Sequence, residues 1–323
     1  MNIKKIIMAL MLMPLAAFAG DVTATSVTAR QRCPWNWLVD ITVTLQGSAE
    51  DVAVVDCVFV ATNSATKAEL RVAHVTQNGA DAGSGTTWTR KYIWDVNADV
   101  GEVKIDDVAL TVDTCAVAVQ LWENGPYWAT CNVGATKPEE YGYYFMWGDT
   151  VGYKRNSENN GWVSVKDGTS FDFSLGNCLT YGKSNPQLES EGYIDAMGNL
   201  VAAHDAATAH LGAPWRMPTD AEFSALISNC ATTWTTRNGV SGRLVTGKGA
   251  YASKSIFLPA AGRGYHSSIL SLGSGGYYWS STPNSGDSSH AWPLDFNSGN
   301  FYRSSICHRS DGQSVRPVRG FAK

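Results

Sequence analysis

Short runs of alternating apolar and polar residues recur in the first third of this chain, with glycine- and asparagine-rich turns between them. Residues 38–45 alternate between apolar and polar from Val39 onward, and residues 88–94 alternate again. A period of two places one side of a strand against a core and the other toward solvent. Residues 55–61 predict a more buried strand, and residues 103–112 predict one or two more. Short strands at this spacing predict an all-β, immunoglobulin-like sandwich.

Composition limits the class of protein. The chain has 323 residues, which is enough for about two ordinary domains. Hydrophobic residues make up 44% and charged residues 17%, so the chain is too apolar and too poor in charge to be disordered. A net charge of -4 argues against a nucleic-acid partner, because a surface that binds nucleic acid should be basic.

The first residues predict an export signal. Lys4 and Lys5 precede a short apolar run at 6–15, and Ala-Phe-Ala follows at 17–19. This pattern is typical of a secretory signal peptide spanning residues 1–19. The apolar run is too short for a membrane span, and no later run is longer, so we do not expect an integral membrane protein. We expect the protein to be secreted, periplasmic or at the cell surface.

The cysteines are odd in number, and their spacing is not that of a metal site. In an exported protein they predict one or two structural disulfides and buried thiols for the rest. No two are separated by two residues, which argues against zinc. No cofactor is expected, although scattered acidic residues such as Asp149, Asp167 and Asp172 leave calcium as an alternative. The cysteines are Cys33, Cys57, Cys115, Cys131, Cys178, Cys230 and Cys307.

The pattern changes after about residue 115, so we place a β-sandwich domain at 20–115 and a second domain at 116–323. Residues 117–122 and 127–129 predict strands, and 143–147 is aromatic and strand-like. Residues 148–198 are rich in Gly, Asn and Ser and predict a long irregular insertion. The Ala-rich segment 202–211 predicts a helix, because Gly212 and Pro214 would end it.

A second helix begins with a capping box. In a capping box the Thr219 hydroxyl accepts from the Glu222 amide while the Glu222 carboxylate accepts from the Thr219 amide. Phe223, Leu226 and Ile227 then give the apolar stripe of a helix that faces a core. Strands and turns follow, so the second domain is predicted to be α+β. The predicted strands are 243–245, 255–258, 277–281, 291–296 and 314–319.

Both domains resemble known families. QRCPWN at 31–36 and WDVNAD at 94–99 are similar to the β-sandwich module that precedes formylglycine-generating-enzyme-like domains in some secreted bacterial proteins. Five ordered motifs over residues 117–321 resemble the Fibrobacter succinogenes major paralogous domain. The resemblance implies a C-type-lectin-like, formylglycine-generating-enzyme-like domain. Variable proteins of diversity-generating retroelements share that fold and carry ligand-binding residues near their C-termini. The motifs are WATCNVGA at 128–135, RMPT at 216–219, IFLPAAG at 256–262, YWSS at 278–281 and SVRPVR at 314–319.

The tail of the chain has a composition of its own. Residues 255–322 contain no Lys, Glu or Met, whereas the 254 residues before them contain 11 Lys, 10 Glu and 7 Met. Adenine changes in the Asn codons AAC and AAT reach Ser, Gly, Asp, His, Tyr, Arg, Ile and Cys, and never Lys, Glu, Gln, Met or Trp. The tail therefore fits targeted adenine mutagenesis on a fixed framework. The alternative is ordinary drift in a turn-rich β region.

Tyr, Ser, Gly and Asn are the residues of antibody-like binding surfaces, so we predict a variable ligand-binding region at about 263–311. In 291–296 the period of two places Trp292, Leu294 and Phe296 on the core face, so Asp295 and Asn297 should point the other way. The predicted contact residues are Arg263, Tyr265, His266, Ser268, Ile269, Asn284, Ser285, Asp287, Ser288, His290, Asp295, Asn297, Asn300, Tyr302, Arg303, Ser305, His308, Arg309 and Asp311.

Three further arginines predict structural roles. Arg216 stands just before the capped helix, where it should pair with a buried carboxylate or carbonyl. Arg316 and Arg319 are expected to act in the same way, since guanidinium groups suit fixed, fork-like pairing.

No catalytic motif is evident. A formylglycine-generating oxidase would need paired cysteines, and Cys307 stands alone in the tail. A serine hydrolase would need G-x-S-x-G, which the chain lacks. We therefore expect a ligand-binding protein, not an enzyme, with an extracellular protein or glycan as its partner. Two alternatives remain: an enzyme or enzyme accessory that acts on polysaccharide, and a structural surface paralogue.

Overall fold

The computed structural model describes residues 22–32, 37–63, 66, 69–70, 72, 74–100, 108–156, 161–303 and 307–320. The predicted signal peptide and Ser305 lie outside the described residues. The chain divides into two compact units, Met1–Val117 and Ala118–Lys323. Each is mostly β, with short helices and several small antiparallel sheets. Within the described residues, no helix is both long enough and apolar enough to cross a membrane.

The first unit has two antiparallel sheets that share one core. One sheet has the order β1-β2-β7-β5, with β6 also pairing with β7, and the other has the order β4-β3-β8. Buried residues of both sheets form one apolar cluster, in which Ile41, Val43 and Phe59 meet Trp94 and Leu110. The elements are β1 Thr23–Gln31, β2 Leu38–Gln46, α1 Ala49–Val52, β3 Val55–Asn63, β4 Glu69–Leu70, β5 Val75–Gln77, β6 Ala82–Ser84, β7 Thr87–Asp95, α2 Val96–Val100 and β8 Val108–Ala116.

The alternation in β2 and β7 predicted these strands correctly, and burial in β2 changes at every residue. The prediction that residues 55–61 form a more buried strand is wrong. In β3 every second residue near the middle faces outward, and Val58 and Val60 are 49% and 41% exposed. An apolar run alone does not distinguish a strand buried on both faces from one buried on one face.

The second unit consists of small sheets around a buried aromatic core. The sheets have the orders β22-β10-β9, β11-β12-β13, β14-β15-β16, β17-β18 and β19-β20-β21. The elements are β9 Ala118–Gln120, β10 Tyr127–Ala129, β11 Tyr153–Arg155, β12 Trp162–Ser164, β13 Ser170–Phe171, α3 Asn185–Ser190, α4 Ala206–Leu211, α5 Asp220–Asn229, β14 Cys230–Arg237, β15 Val240–Gly247, β16 Ser255–Pro259, β17 Arg263–Tyr265, β18 Ser268–Leu270, β19 Gly275–Pro283, β20 Ala291–Asn297, β21 Phe301–Arg303 and β22 Val318–Arg319.

Several local predictions need correction. The segment 148–198 is not simply irregular, because it contains β11, β12, β13 and α3. The predicted helix over 202–211 is divided at Asp205, whose carboxylate caps α4 and also accepts from the Met217 amide. Within 143–147 only Tyr144 and Phe145 form bridges, both isolated, and within 314–319 only Val318 and Arg319 form a strand.

The predicted capping box of α5 is confirmed, and so is the structural role of Arg216. Thr219 and Glu222 exchange the expected hydrogen bonds, and Phe223 and Leu226 are buried. Arg216 donates two hydrogen bonds to the Glu222 carboxylate, at 2.7 and 2.5 Å. The same carboxylate therefore caps the helix and ties its first turn to the preceding segment.

Arg316 joins several parts of the second unit. Its guanidinium is fully buried and donates to Asn132 Oδ1, to the carbonyls of Ala129 and Thr130, and to the carbonyl of Phe257. Burial lowers the pKa of Arg316. A buried guanidinium without a carboxylate is held by its carbonyl acceptors, so this side chain fixes the framework that carries the later loops.

Candidate functional site

The β17–β18 hairpin is held by backbone and framework contacts from outside the hairpin. The amide and carbonyl of His266 both pair with Phe173, and those of Gly264 both pair with Gly312. Arg155 Nη1 donates to the Ser267 carbonyl at 2.9 Å, and Trp162 Nε1 donates to the Ser268 carbonyl at 3.2 Å. Most of these bonds use main-chain atoms of the hairpin. The position of the hairpin therefore does not depend on the identity of most of its side chains.

The loop between β19 and β20 is held in a similar way. The Gly182 amide donates to the Ser288 carbonyl, and the Arg309 amide donates to the Ser289 carbonyl. Arg309 is fully buried, and its guanidinium donates to the carbonyl of His290 and to two carbonyls of the segment 180–183. Burial lowers the pKa of Arg309 to about 10. One buried arginine therefore joins this loop to the framework.

A continuous series of contacts joins three parts of the tail, namely the first loop at 263–271, the second loop at 284–290 and the third loop at 307–311. Arg263 Nη1 lies 2.5 Å from Asp311 Oδ2, and the Asp311 amide donates to the His308 carbonyl. The rings of His308 and His290 are 4.3 Å apart between centroids, and His290 Nδ1 lies 2.8 Å from Asp287 Oδ2. The series runs from the first loop through the third to the second, so all three contribute to one region.

The centre of this region is buried and polar. Asp311 is almost fully buried, and burial raises its pKa while the charge of Arg263 opposes part of the rise. Burial also raises the pKa of the Cys307 thiol to about 12, which leaves it unreactive at neutral pH. Arg263 in addition lies over the ring of Tyr277, 5.5 Å from its centroid. These buried and partly buried groups support the loops that carry the exposed side chains.

Asp295 points away from the core face, as the alternation predicted, but it is not exposed. The cross-strand register aligns it with Tyr277 on one side and Tyr302 on the other. It is 5% exposed, and burial raises its pKa while a hydrogen bond from Tyr302 opposes the rise. Tyr302, which is 41% exposed, covers it. The prediction that Asp295 is a contact residue therefore needs correction, because neighbouring side chains separate it from solvent.

The predicted contact residues divide by exposure. Asp295, Arg309 and Asp311 are buried and support neighbouring loops, so the structure does not place them as direct contacts. The exposed ones are Tyr265, His266, Ser268, Ser285, Asp287, Asn300, Tyr302 and Arg303. The partly buried ones are Arg263, Ile269, Asn284, Ser288, His290, Asn297 and His308.

The side chains of two of these residues support the local fold. Arg303 pairs with Asp220 at the start of α5 and lies over the ring of Trp292. The Asn297 side chain accepts from the amides of Gly299 and Asn300, which shapes the turn between β20 and β21. This end of the tail does not take part in the series of contacts that joins the three loops.

Sequence reasoning missed the part played by the segment 173–183. Phe173 pairs with the hairpin, Thr180 and Lys183 accept from Arg309, and the ring of Tyr181 lies 5.8 Å from that of His308. Nothing in the local sequence indicates these contacts, because they depend on where the long insertion folds back.

The structure gives no indication of a metal site in its described part, where no group of three His, Cys, Asp or Glu residues could hold an ion. Cys131, Cys178, Cys230 and Cys307, the cysteines of the second unit, are free thiols. The predicted disulfides are therefore not formed among these four residues.

Comparison with known proteins identifies the second unit. The family model described as Lcl C-terminal domain matches residues 124–319. No significant match was found among curated proteins or among solved structures. The matched segment covers more than half of the chain and contains the three loops. The chain therefore belongs to the Lcl C-terminal domain family, a family of surface proteins related to formylglycine-generating sulfatase-modifying enzymes and C-type lectins.

Proposed function

We propose that this protein is an exported ligand-binding protein, and that the loops 263–271, 284–290 and 307–311 form its recognition face for an extracellular protein or glycan. The second unit would be a C-type-lectin-like domain of the major paralogous type, and the first an immunoglobulin-like module that presents it. The apolar segment at 6–15 and the family of surface proteins support the proposed location.

The observation that carries the proposal is the way the three loops are supported. Main-chain bonds and the buried Arg309 hold their backbones, while side chains such as Tyr265, Ser268 and Ser285 face solvent. Binding costs less free energy when the contact loops are ordered before the ligand arrives. An ordered loop whose side chains are not needed for its fold is also a suitable place for sequence variation.

The composition of the tail supports diversification by a retroelement. The absence of Lys, Glu and Met from residues 255–322 is the absence expected if adenines of Asn codons were the mutated bases. A reverse-transcriptase gene and an adenine-rich repeat of this segment beside the gene are the expected genomic signature. Sibling genes whose differences are spread evenly along the chain would contradict this part of the proposal.

An enzyme acting on polysaccharide is the alternative. The two buried carboxylates of the region, Asp295 and Asp311, have pKa values raised by burial, as a general acid requires. Each carboxylate already accepts a hydrogen bond from a neighbouring side chain: Asp311 from Arg263, and Asp295 from Tyr302. We favour recognition because neither carboxylate faces solvent. Release of reducing ends from soluble polysaccharides would favour the enzyme.

The experiment compares two matched triple variants. The face variant carries Tyr265→Ala, Ser268→Ala and Ser285→Ala, and the control variant carries Leu211→Ala, Ser190→Ala and Ser228→Ala on α4, α3 and α5. Tyr265 and Leu211 are 44% and 47% exposed, so the two sets remove similar surface. The purified proteins are applied to an array of glycans and an array of extracellular protein domains.

We expect the wild type and the control variant to bind the same components, and the face variant to lose at least tenfold in apparent affinity for them. Equal binding by the face and control variants would contradict the proposed site.

A further inference from the structure

Left-handed backbone at non-glycine residues is distributed unevenly in the second unit. Among the described residues outside the tail they are asparagines, Asn124 with φ 59° and Asn238 with φ 48°. Within the tail they are His266 with φ 50° and Ser271 with φ 57°. Asparagine is the non-glycine residue best suited to this conformation, because its short amide can bond to nearby backbone. The framework thus follows the usual preference and the tail departs from it.

The surroundings impose the left-handed conformation on the tail residues. His266 is the first of two residues that close the β17–β18 hairpin, and both its amide and its carbonyl are bonded to Phe173 at 3.1 Å. Ser271 follows β18, and its carbonyl accepts from the amides of Ser274 and Gly275. The backbone conformation at both positions is therefore held by main-chain hydrogen bonds that do not depend on the side chain.

Neither side chain compensates for the strain within the fold. Both residues are exposed, and in the described part of the chain neither side chain makes a hydrogen bond. The contact of the His266 ring is an edge-to-face one with Tyr265, at 4.5 Å between centroids. A strained conformation retained without a local benefit is typical of functional positions.

We propose that His266 and Ser271 are specificity-determining residues of the recognition face, placed on a backbone that suits asparagine. This inference rests on the proposed function of that face, and it gives His266 and Ser271 a particular role within it. Histidine and serine are each one adenine change from an Asn codon, CAC or CAT and AGC or AGT. The left-handed backbone and the genetic code therefore both point to asparagine as the ancestral residue at the two positions.

Stability measurements test the backbone part without any ligand. His266→Asn and Ser271→Asn should each raise the unfolding temperature of the second unit by about 2 °C. Asn124→His, the matched control at an exposed left-handed position outside the tail, should lower it by about the same amount. An unchanged or lower unfolding temperature for both tail variants would overturn the inference and leave the proposed function untouched.

A displayed library tests the specificity part. The full chain, randomised at 265, 266, 268, 269 and 271, is sorted once for resistance to protease and once for binding to hen lysozyme as the probe. We expect the folding sort to enrich Asn and Gly at 266 and 271, and the binding sort to replace them with larger side chains. A folding sort without that preference, a binding sort that keeps Asn or Gly, or no binders at all would overturn the inference.

Discussion

Two hairpins of the second unit end in two-residue turns, but they are stabilised by different means. The β14–β15 hairpin has eight cross-strand pairs and turns through Asn238-Gly239, with φ of 48° and 84°. The β17–β18 hairpin has three pairs and turns through His266-Ser267. Asn-Gly is the preferred sequence for such a turn, since both residues tolerate positive φ. The first hairpin therefore carries its own turn signal, and the second does not.

The difference shows where each conformation is encoded. A long hairpin with a favourable turn is determined by its own residues. The short hairpin depends on partners distant in sequence, namely Phe173, Gly312, Arg155 and Trp162. Because its fold is encoded elsewhere, its exposed residues are available for recognition. Substitutions can remove either the contacts that distant residues make with the loops or the turn residues of the β14–β15 hairpin.

The largest expected effect is the removal of the buried arginine that holds the second loop. Arg309→Leu removes a guanidinium donor from three carbonyls, so that of Lys183 loses this donor while those of Thr180 and His290 keep one backbone amide each. We expect a loss of about 3 kcal/mol in the free energy of unfolding, measured in urea. A loss below about 1 kcal/mol would show that the loop does not depend on Arg309.

The next largest effect is expected when a side chain at residue 312 disturbs the contacts that hold the β17–β18 hairpin. A Cβ atom at Gly312 would lie 2.2 Å from Cζ of Phe173, which is itself buried. Gly312→Ala should cost about 2 kcal/mol and speed proteolysis between residues 265 and 268. Gly176→Ala is the control, because a Cβ atom there meets nothing within 4 Å. Equal stability of the two variants would contradict support through this contact.

Arg263→Met should have a pH-dependent effect of about 1–2 kcal/mol, because it leaves the Asp311 carboxylate buried without its cation. Burial raises the pKa of Asp311 above the value of about 3.9 found in unfolded chains, so the folded state binds the proton more readily. The stability lost by the variant should be largest above the raised pKa of Asp311, where the carboxylate is charged. It should shrink as pH falls through that pKa and the carboxylate takes up a proton. Urea unfolding at pH 7 and pH 4 measures the difference, and a deficit that grows toward pH 4 would be the opposite result.

The smallest effect tests the local turn signal. Gly239→Ala places a Cβ atom at φ 84° with no crowding within 4 Å, so the cost is conformational alone. We expect a loss of about 1 kcal/mol and no change in the contacts of the other hairpin. Urea unfolding measures the loss of stability. Hydrogen exchange of the Gly264 and Gly312 amides reports whether the contacts of the β17–β18 hairpin change. Loss of protection at those amides would couple the two hairpins.

The sequence predicted those parts of the fold that local patterns encode. The alternation in β2, the capping box of α5 and the pairing of Arg216 follow from nearby residues. The Asn238-Gly239 signal between two β-rich runs was available and would have identified β14. Likewise the capping box at Ser184 and Gln187 would have identified α3.

The remaining features depend on contacts between distant segments. The burial of Asp295 beneath Tyr302, and of Arg309 against the segment 180–183, cannot be derived from period or composition. The composition predicted the tail to be a variable segment, and that stays a prediction. It did not reveal which of its side chains support the loops and which face solvent.

In the proposed function, the exposed side chains of the three loops bind ligand and are not needed for the fold. The most direct measurement determines the unfolding free energy and the array binding of the face variant on the same preparation. The account predicts an unfolding free energy within about 1 kcal/mol of the wild type together with at least a tenfold loss of binding. A face variant that unfolds several kcal/mol more easily, or that binds as the wild type does, would contradict it.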